Sequence, residues 1–292
     1  MTDLYSGNNN KNSIGLWQDA MHRFKQNRLA VIGLFASVLL ILVTIFSPLI
    51  SPYPYDKQNY SQTAKSPSWQ HPMGTDLLGR DMLSRVMYGG RVSISIGILV
   101  QLAAIIIGLP LGALAGYYGG RVDYVVTRLV EGMMAFPSLI LAILIMVTMG
   151  PGYLNILFAM VIVAWPSITR LVRAQFLGLR EKEFVEAARA IGASDSWIIF
   201  RHIIPNSIGP VIIAVSLGIP ATIFREAGLS FIGIGIVPPT PSWGQMIGQY
   251  YLAIQSFWFL PIFPSLTLGF AILAFTFVGD GLQDALSPRQ RR

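Results

Sequence analysis

Residues that could do catalytic chemistry are few in this chain and far apart. There is no cysteine, which excludes thiolate metal sites, iron–sulfur clusters and cysteine nucleophiles. None of the five lysines follows a glycine, so the chain lacks the phosphate-cradling loop of a transport ATPase. The three histidines, His22, His71 and His202, cannot form a HExxH zinc site. We therefore expect no catalytic residue, no metal site and no ATP hydrolysis in this chain.

The composition indicates that a bilayer is the solvent for most of the chain. Hydrophobic residues make up 53% of the 292 residues and charged residues only 12%, which is about half the usual charged fraction of a soluble protein. The 28 glycines and 18 prolines agree with this, since both are commoner in membrane helices than in soluble ones.

Charge-free stretches long enough to cross a hydrocarbon core predict six membrane-spanning helices. The third and fourth come from one run, 132–169, which Gly150-Pro151-Gly152 breaks near its middle. The other four predicted spans are 29–50, 92–120, 203–224 and 259–278. The expected fold is an all-α membrane protein with both termini on the same side.

The distribution of basic residues predicts that this side is the cytoplasm. In that orientation 15 lysines and arginines lie inside and six outside, as the positive-inside rule requires. The net charge of +7 therefore indicates membrane topology and no nucleic-acid partner.

The cytoplasmic N-terminal segment, 1–28, contains a predicted amphipathic helix. Leu16, Trp17, Ala20, Met21 and Phe24 fall on one helical face, and basic residues lie close by. Two interpretations remain open: the helix lies on the inner membrane surface, or it extends the first span into the cytoplasm.

The cytoplasmic loop between the fourth and fifth spans is unusually charged and predicts two short helices. The first covers 181–191, with acidic residues in its first turns and Gly192 as its stop. Ser194 or Asp195 is expected to cap the second helix, which runs from Ser196 towards Pro205.

An apolar stripe on the first of these helices is the candidate contact surface. It consists of Phe184, Ala187, Ala188 and Ile191. A stripe of this kind either binds a partner protein or packs on the chain's own membrane helices, and periodicity does not choose between them.

The same loop resembles the EAA motif of permease subunits of binding-protein-dependent ABC importers. Glu186-Ala187-Ala188 is followed at the family's spacing by Gly192 and then by His202-Ile203-Ile204-Pro205, in which His202 and Ile204 depart from the usual pattern. The resemblance implies that 173–205 is a coupling loop seated in a groove of an ATPase subunit. Its implied coupling residues are Phe184, Glu186, Ala187, Ala188, Ile191, Gly192 and Pro205.

Three further blocks are similar to the dipeptide, oligopeptide and nickel group of these permeases. They are 73–91, with Gly74-Thr75-Asp76 and Gly79-Arg80-Asp81; 226–244, with Glu226-Ala227-Gly228; and 279–286. The chain length and the short outer loop resemble the C-type subunit of that group.

The charged residues of these blocks carry the second set of candidate sites. Asp76, Arg80, Asp81 and Arg85 are expected to form a salt-bridged surface close to the docking place of a solute-binding protein, with direct solute contact as the alternative. Arg225 and Glu226 are expected to pair with each other or with a partner permease, and Glu226 stands where an outer gate is expected. The proline-rich fifth span is the predicted wall of the transport path.

The resemblance implies a type I importer permease. It divides the chain into the segment 1–28, the first span 29–50, an extracytoplasmic loop 51–91, a core 92–282 with five spans, and a cytoplasmic tail 283–292. The implied function is half of a path for di- or oligopeptides in the bacterial cytoplasmic membrane.

The implied partners are a homologous B-type permease, two ABC ATPases that are identical or different, a solute-binding protein and the lipid bilayer. This chain would bind no cofactor, and the ATPases would use ATP and Mg²⁺. Nickel, metal-chelate or glutathione import is the alternative cargo. A self-contained ion-coupled carrier is the alternative class, which is disfavoured because the ionisable residues lie near the span ends.

Overall fold

The computed structural model describes residues 16–286 and is helical, with no β-strand in that range beyond a single bridge between Thr75 and Asp81. Parts of the predicted segments 1–28 and 283–292, including Lys11 and the last three arginines, lie outside the described residues. The helices are α1 Leu16–Gln26, α2 Arg28–Ile45, α3 Ser47–Ile50, α4 Met82–Tyr118, α5 Gly120–Met134, α6 Ser138–Met149, α7 Tyr153–Arg180, α8 Glu183–Ala190, α9 Asp195–Ile198, α10 Ile204–Phe231, α11 Trp243–Tyr250 and α12 Phe259–Leu286. Short 3-10 turns lie at Tyr60–Gln62 and Tyr251–Ala253, and a π-helical turn, Ile199–Ile203, joins α9 to α10.

The membrane-spanning character of the chain is confirmed by helix length and composition. Within the described residues five helical runs are long and apolar enough to cross a bilayer: α2, α4, α7, the continuous run Asp195–Phe231, and α12. The number becomes six if α5 and α6, which meet at a bend of 82°, together form one span.

The bend between α5 and α6 was not predicted, because the charge-free run that begins at residue 132 continues through it. The third span was expected to run unbroken from residue 132, yet the helix stops at Met134 and resumes at Ser138. Pro137 explains the break, since it lacks an N–H and disfavours helical geometry at Phe136. The 12 residues of α6 rise about 18 Å. This is less than the ~30 Å hydrocarbon core, so α6 crosses only with help from α5.

Helix α4 begins inside the stretch that was predicted as the outer loop, at Met82 rather than near Val92. The Asp81 side chain caps it by accepting hydrogen bonds from the N–H and the hydroxyl of Ser84, each at 2.8 Å. At 37 residues α4 is about 55 Å long, so it extends beyond the hydrocarbon core.

Helices α4 and α7 form the most extensive helix pair. Gly108, Gly112 and Gly116 recur every fourth residue on α4 and face α7. A Cβ at Gly112 would lie 2.6 Å from the carbonyl oxygen of Thr169, and one at Gly116 would lie 2.6 Å from Phe176 Cβ. This repeat of small residues allows the two backbones to approach closely, as is common between membrane helices.

Helix α1 is present where the amphipathic helix was predicted, and it packs on the end of α12. Ala20 and Phe24 are buried and form a cluster with Ala30 and Ala285. Asn27, the single residue between α1 and α2, caps α2 by accepting a hydrogen bond from the N–H of Ala30 at 3.2 Å. Part of the apolar face of α1 therefore packs on α12. The side chains of Leu16 and Trp17, which were predicted on the same face, lie outside the described set.

Candidate functional site

The predicted helix stop at Gly192, in the loop between the fourth and fifth predicted spans, is confirmed. Helix α8 ends at Ala190, and Gly192 follows with φ +81°, in the left-handed region that favours glycine. The N–H of Gly192 donates to the carbonyl of Arg189 at 2.9 Å, and the N–H of Ala193 donates to the carbonyl of Ala188 at 3.0 Å. These two bonds satisfy the last carbonyls of the helix, which is the Schellman arrangement.

The second predicted helix continues directly into the fifth span. Ser194, one of the two predicted caps, accepts a hydrogen bond from the N–H of Trp197 at 3.4 Å and starts α9. The π-helical turn then leads into α10 without a break. Pro205 is the second residue of α10 and follows directly on the π-helical turn. The C-terminal part of the loop and the fifth span therefore form one continuous helical run, Asp195–Phe231.

The sequence left open whether the apolar stripe of α8 packs on the chain's own membrane helices or stays free for a partner protein. In the structure one part of the stripe is buried and the other is exposed. Ala188 is buried against the membrane helices, together with Val185, which was not predicted. Phe184, Ala187 and Ile191 are exposed, and Ile191 exposes 80% of its surface. The sequence signal for Val185 was present, because it lies three residues before Ala188 on the same helical face.

We call the exposed apolar residues of this region the coupling surface: Phe184, Ile191, Trp197 and Phe200. The ring of His202 lies 4.8 Å from that of Trp197 and 5.9 Å from that of Phe184, so His202 joins the two aromatic residues into one patch. Glu186 is exposed on the same helix. An exposed apolar patch rimmed by charged side chains is typical of a protein-binding site.

Side chains attach the loop to α4. The Tyr117 hydroxyl donates to Asp195 Oδ1 at 2.6 Å, and the guanidinium of Arg189 lies 5.6 Å from the centre of the Tyr117 ring. Arg180, at the end of α7, donates to the carbonyls of Gly116 and Tyr117 at 3.3 Å. The loop therefore contacts the C-terminal end of α4 as well as continuing into α10.

The charged residues predicted on an outer surface are instead buried. Asp76, Arg80, Asp81 and Arg85 are each at most 2% exposed. The predicted ion pairing holds for Asp76, which accepts from Arg80 Nε at 2.6 Å and lies 3.7 Å from Arg85 Nε. Asp81 pairs with His71 Nδ1 at 2.8 Å rather than with an arginine.

Tyr250, from a distant part of the chain, completes the cluster around Asp76. Its hydroxyl donates to Asp76 at 2.8 Å. Burial raises the pKa of Tyr250 above its ordinary value, so the hydroxyl keeps its proton and serves as a donor. Burial opposes the charge of Arg80, but the Asp76 carboxylate outweighs it and raises the pKa of Arg80. The cluster therefore fixes the loop 51–81 to α4 and α11, and within this chain its side chains are closed to solute.

Arg225 and Glu226 point to different places and do not pair with each other. Glu226 is fully buried and accepts hydrogen bonds from the hydroxyls of Ser93 at 2.8 Å and Ser230 at 2.7 Å. Ser93 also accepts from the N–H of Trp243, so Glu226 helps to join α10, α4 and α11. Arg225 is exposed, and its pairing with a partner permease stays a prediction.

A cleft of about 460 Å³ lies between α4, the α5–α6 bend, α7 and α10. Four α10 residues line it: Ala214, Gly218, Ala221 and Arg225. Gln101 of α4 lines it as well, and sequence reasoning missed this residue although it is the one amide in the apolar run 92–120. The cleft lies where the fifth span was predicted to form a path wall. Within residues 16–286, the cleft included, no three His, Asp or Glu side chains come together as a metal site would require.

Comparisons of the sequence with known families give two matches. The family described as binding-protein-dependent transport system inner membrane component matches residues 108–292. The N-terminal TM domain of oligopeptide transport permease C matches residues 15–67.

Similar curated proteins cover almost the whole chain. The dipeptide transport system permease protein DppC of Alkalihalophilus pseudofirmus is 40% identical over 96% of this chain and 92% of its own length. The oligopeptide transport system permease protein OppC of Bacillus subtilis is 40% identical over 97% and 92%. The glutathione transport system permease protein GsiD of Pectobacterium atrosepticum is 38% identical over 94% and 91%.

Among solved structures, the fold is similar to that of an inward-facing form of the MetNI methionine ABC transporter. The match has a TM-score of 0.58 and 19% identity and covers 70% of this chain and 98% of that one. At this identity the likeness concerns the fold alone.

Proposed function

The chain belongs to the family of binding-protein-dependent transport system inner membrane components, and from this premise we propose that it is the C-type permease subunit of an ATP-driven peptide importer. It forms half of the path across the bacterial cytoplasmic membrane. A homologous B-type permease forms the other half, two ABC ATPases bind below, and a solute-binding protein delivers the cargo from above.

In this proposal the chain crosses the membrane six times with both termini in the cytoplasm. The bent pair α5–α6 counts as one span, which gives an even number of crossings. The excess of basic residues on the inner side supports the orientation. It places the coupling surface towards the ATPases and the cluster around Asp76 on the extracytoplasmic side.

One observation carries the proposal: the coupling surface is exposed, yet the segment that bears it is firmly joined to the transmembrane helices. Phe184 and Ile191 face outward, while Val185, Ala188 and Ile198 are buried in the main core. ATP-driven closure of the ATPases would push this segment, and the continuous α9–α10 run would carry the motion to the cleft. Alternating access then follows from movement of α10 against α4 and α7.

The proposed cargo is a di- or oligopeptide, as in the names of the DppC and OppC relatives. Glutathione is the second candidate, which the GsiD relative supports. Nickel or a metal chelate remains the other alternative cargo. We propose that this chain binds no cofactor and that ATP and Mg²⁺ are bound by the ATPase subunits.

Purification from the native host with a mild detergent tests the assembly. We expect the tagged chain to bring down a second permease and two ATPase subunits, and the purified assembly with its binding protein to accumulate a labelled dipeptide in liposomes only with ATP. Transport by the chain alone, without ATP, would establish the ion-coupled carrier instead.

A pair of matched variants tests the coupling surface. Ile191 and Leu252 are each 80% exposed, but Leu252 lies next to α11, away from the loop. Ile191→Asp is expected to reduce recovery of the ATPases, because a charge replaces an apolar contact, whereas Leu252→Asp is expected to leave it unchanged. Equal recovery in both variants would contradict the assigned surface.

A further inference from the structure

The cleft between α4, the α5–α6 bend, α7 and α10 has the size and the polarity of a small-ligand site. Its volume of about 460 Å³ falls in the range of known ligand pockets. We propose that it receives the carboxyl end of the transported peptide, with the terminal carboxylate held by Arg225. The inference rests on the function proposed above and names the chemical group that this chain recognises in its cargo.

Arg225 is the one charged side chain among the described residues that line the cleft. No ion pair within residues 16–286 engages it, because the neighbouring Glu226 is turned away and bonded to Ser93 and Ser230. A guanidinium presents parallel N–H donors that match the two oxygens of a carboxylate. The charge in this cleft therefore selects an anionic group on the ligand.

Gln101 supplies an acceptor for the rest of the peptide. Its side chain is 6% exposed, and Nε2 is fixed by bonds to the carbonyl of Gly218 at 3.2 Å and to Thr222 Oγ1 at 2.7 Å. Its Oε1 receives no hydrogen bond from the described residues. This oxygen belongs to a residue that lines the cleft, and a peptide N–H of a bound ligand is a suitable donor to it.

Gly218 makes room for this amide. A Cβ at this position would lie 2.4 Å from Gln101 Oε1, so any larger residue would displace the amide from its place beside α10. Gly218 thus leaves space for the Gln101 amide beside the face of α10 that carries Arg225.

The spacing of the two polar residues fits a short peptide. Gly218, Ala221 and Arg225 lie on one face of α10. Seven residues of helix separate Gly218 from Arg225, a rise of about 10 Å, which is the length of about three extended residues. The other lining residues include Met133 and Met134, whose flexible side chains adapt to ligands of varied shape.

Uptake of two peptides that differ in a single group tests the inference. The reconstituted importer, with its ATPases, partner permease and binding protein, is given either a dipeptide with a free carboxylate or the same dipeptide as its amide. Arg225→Gln is expected to lower uptake of the acid by about tenfold, as loss of a charge-assisted bond predicts, and to leave uptake of the amide unchanged. Arg225→Lys is expected to keep most of the acid uptake.

Arg91→Gln is the control, because Arg91 is an exposed arginine on α4 that does not line the cleft. The same binding protein serves every variant, so its own preference cancels when variant and wild type are compared. Equal loss of both peptides in Arg225→Gln, or no loss of either, overturns the inference. Absence of ATP-dependent uptake of either peptide by the wild type overturns the proposed function instead.

Photo-crosslinking gives a second readout that does not depend on turnover. A dipeptide with a benzophenone side chain on its C-terminal residue is loaded on the binding protein and presented to the assembled importer. We expect labelling of 214–225 on α10 or of 133–138 at the bend, and less of it in Arg225→Gln. Labelling confined to other helices overturns the inference.

Discussion

The contact between α4 and α7 leaves no space for a side chain at Gly112, and replacement by alanine tests this packing directly. A Cβ there would lie 2.6 Å from the carbonyl oxygen of Thr169 and 2.7 Å from Val172 Cβ. Ordinary contacts are about 3.5 Å or longer, so the helices must separate by roughly 0.5–1 Å. A gap of that size forfeits a quarter to a half of the dispersion energy of each contact pair.

The expected effect is a loss of about 1–3 kcal/mol of stability, the usual result of overpacking. Gly178→Ala on α7 is the matched control, because no atom lies within 4 Å of the added Cβ and φ is not positive. Alanine at that helical position is expected to be neutral or to gain up to about 1 kcal/mol.

The thermal midpoint of the purified importer, followed by the loss of its monodisperse elution peak, measures both variants. Gly112→Ala is expected to melt below the wild type and below Gly178→Ala. A midpoint for Gly112→Ala equal to that of the control would refute the close α4–α7 approach.

Three further substitutions test other contacts. Asp76→Asn leaves the buried Arg80 without its carboxylate and is expected to cost about 3–5 kcal/mol, measured as a lower thermal midpoint. Tyr117→Phe and Asp195→Ala each remove one partner of the same hydrogen bond; each is expected to cost about 0.5–1.5 kcal/mol, and the double variant little more than either alone. Gly192→Ala puts a side chain at φ +81° and costs about 1–2 kcal/mol, which is expected to lower peptide uptake per ATP hydrolysed while membrane insertion stays normal.

Each of these has an outcome that would count against it. An unchanged midpoint in Asp76→Asn would mean that the cluster is hydrated rather than buried. Additive losses in the double variant would show that Tyr117 and Asp195 act separately. Asn tolerates the left-handed region better than alanine, so Gly192→Asn is expected to restore part of the uptake, and equal defects in both variants would contradict the backbone explanation.

Local signals account for what the sequence predicted well. The stop at Gly192 and the cap at Ser194 depend on neighbours within a few residues, and the structure has both. The apolar stretches likewise predicted the membrane helices, because hydrophobic length is read from one segment at a time.

Features that depend on distant residues were predicted poorly. Charged residues near Asp76 were placed on a surface, since charge usually means exposure, but Tyr250 meets Asp76 from 174 residues away and helps to bury it. The division of the α8 stripe into Ala188 inside and Ile191 outside follows from contacts with the membrane helices, which periodicity does not contain.

The packing of α1 on α12 can form only late in the synthesis of this chain. Phe24 and Ala20 form a cluster with Ala285 of α12, and a Cβ at Gly281 would lie 3.1 Å from Phe24 Cε2. Helix α1 therefore leaves the ribosome well before α12, the helix that covers it. At about 5–20 residues per second the interval is on the order of tens of seconds. Until α12 is made, the apolar face of α1 has Ala30 of α2 beside it but lacks Ala285, so we expect the bilayer surface or a chaperone to shelter it in that interval.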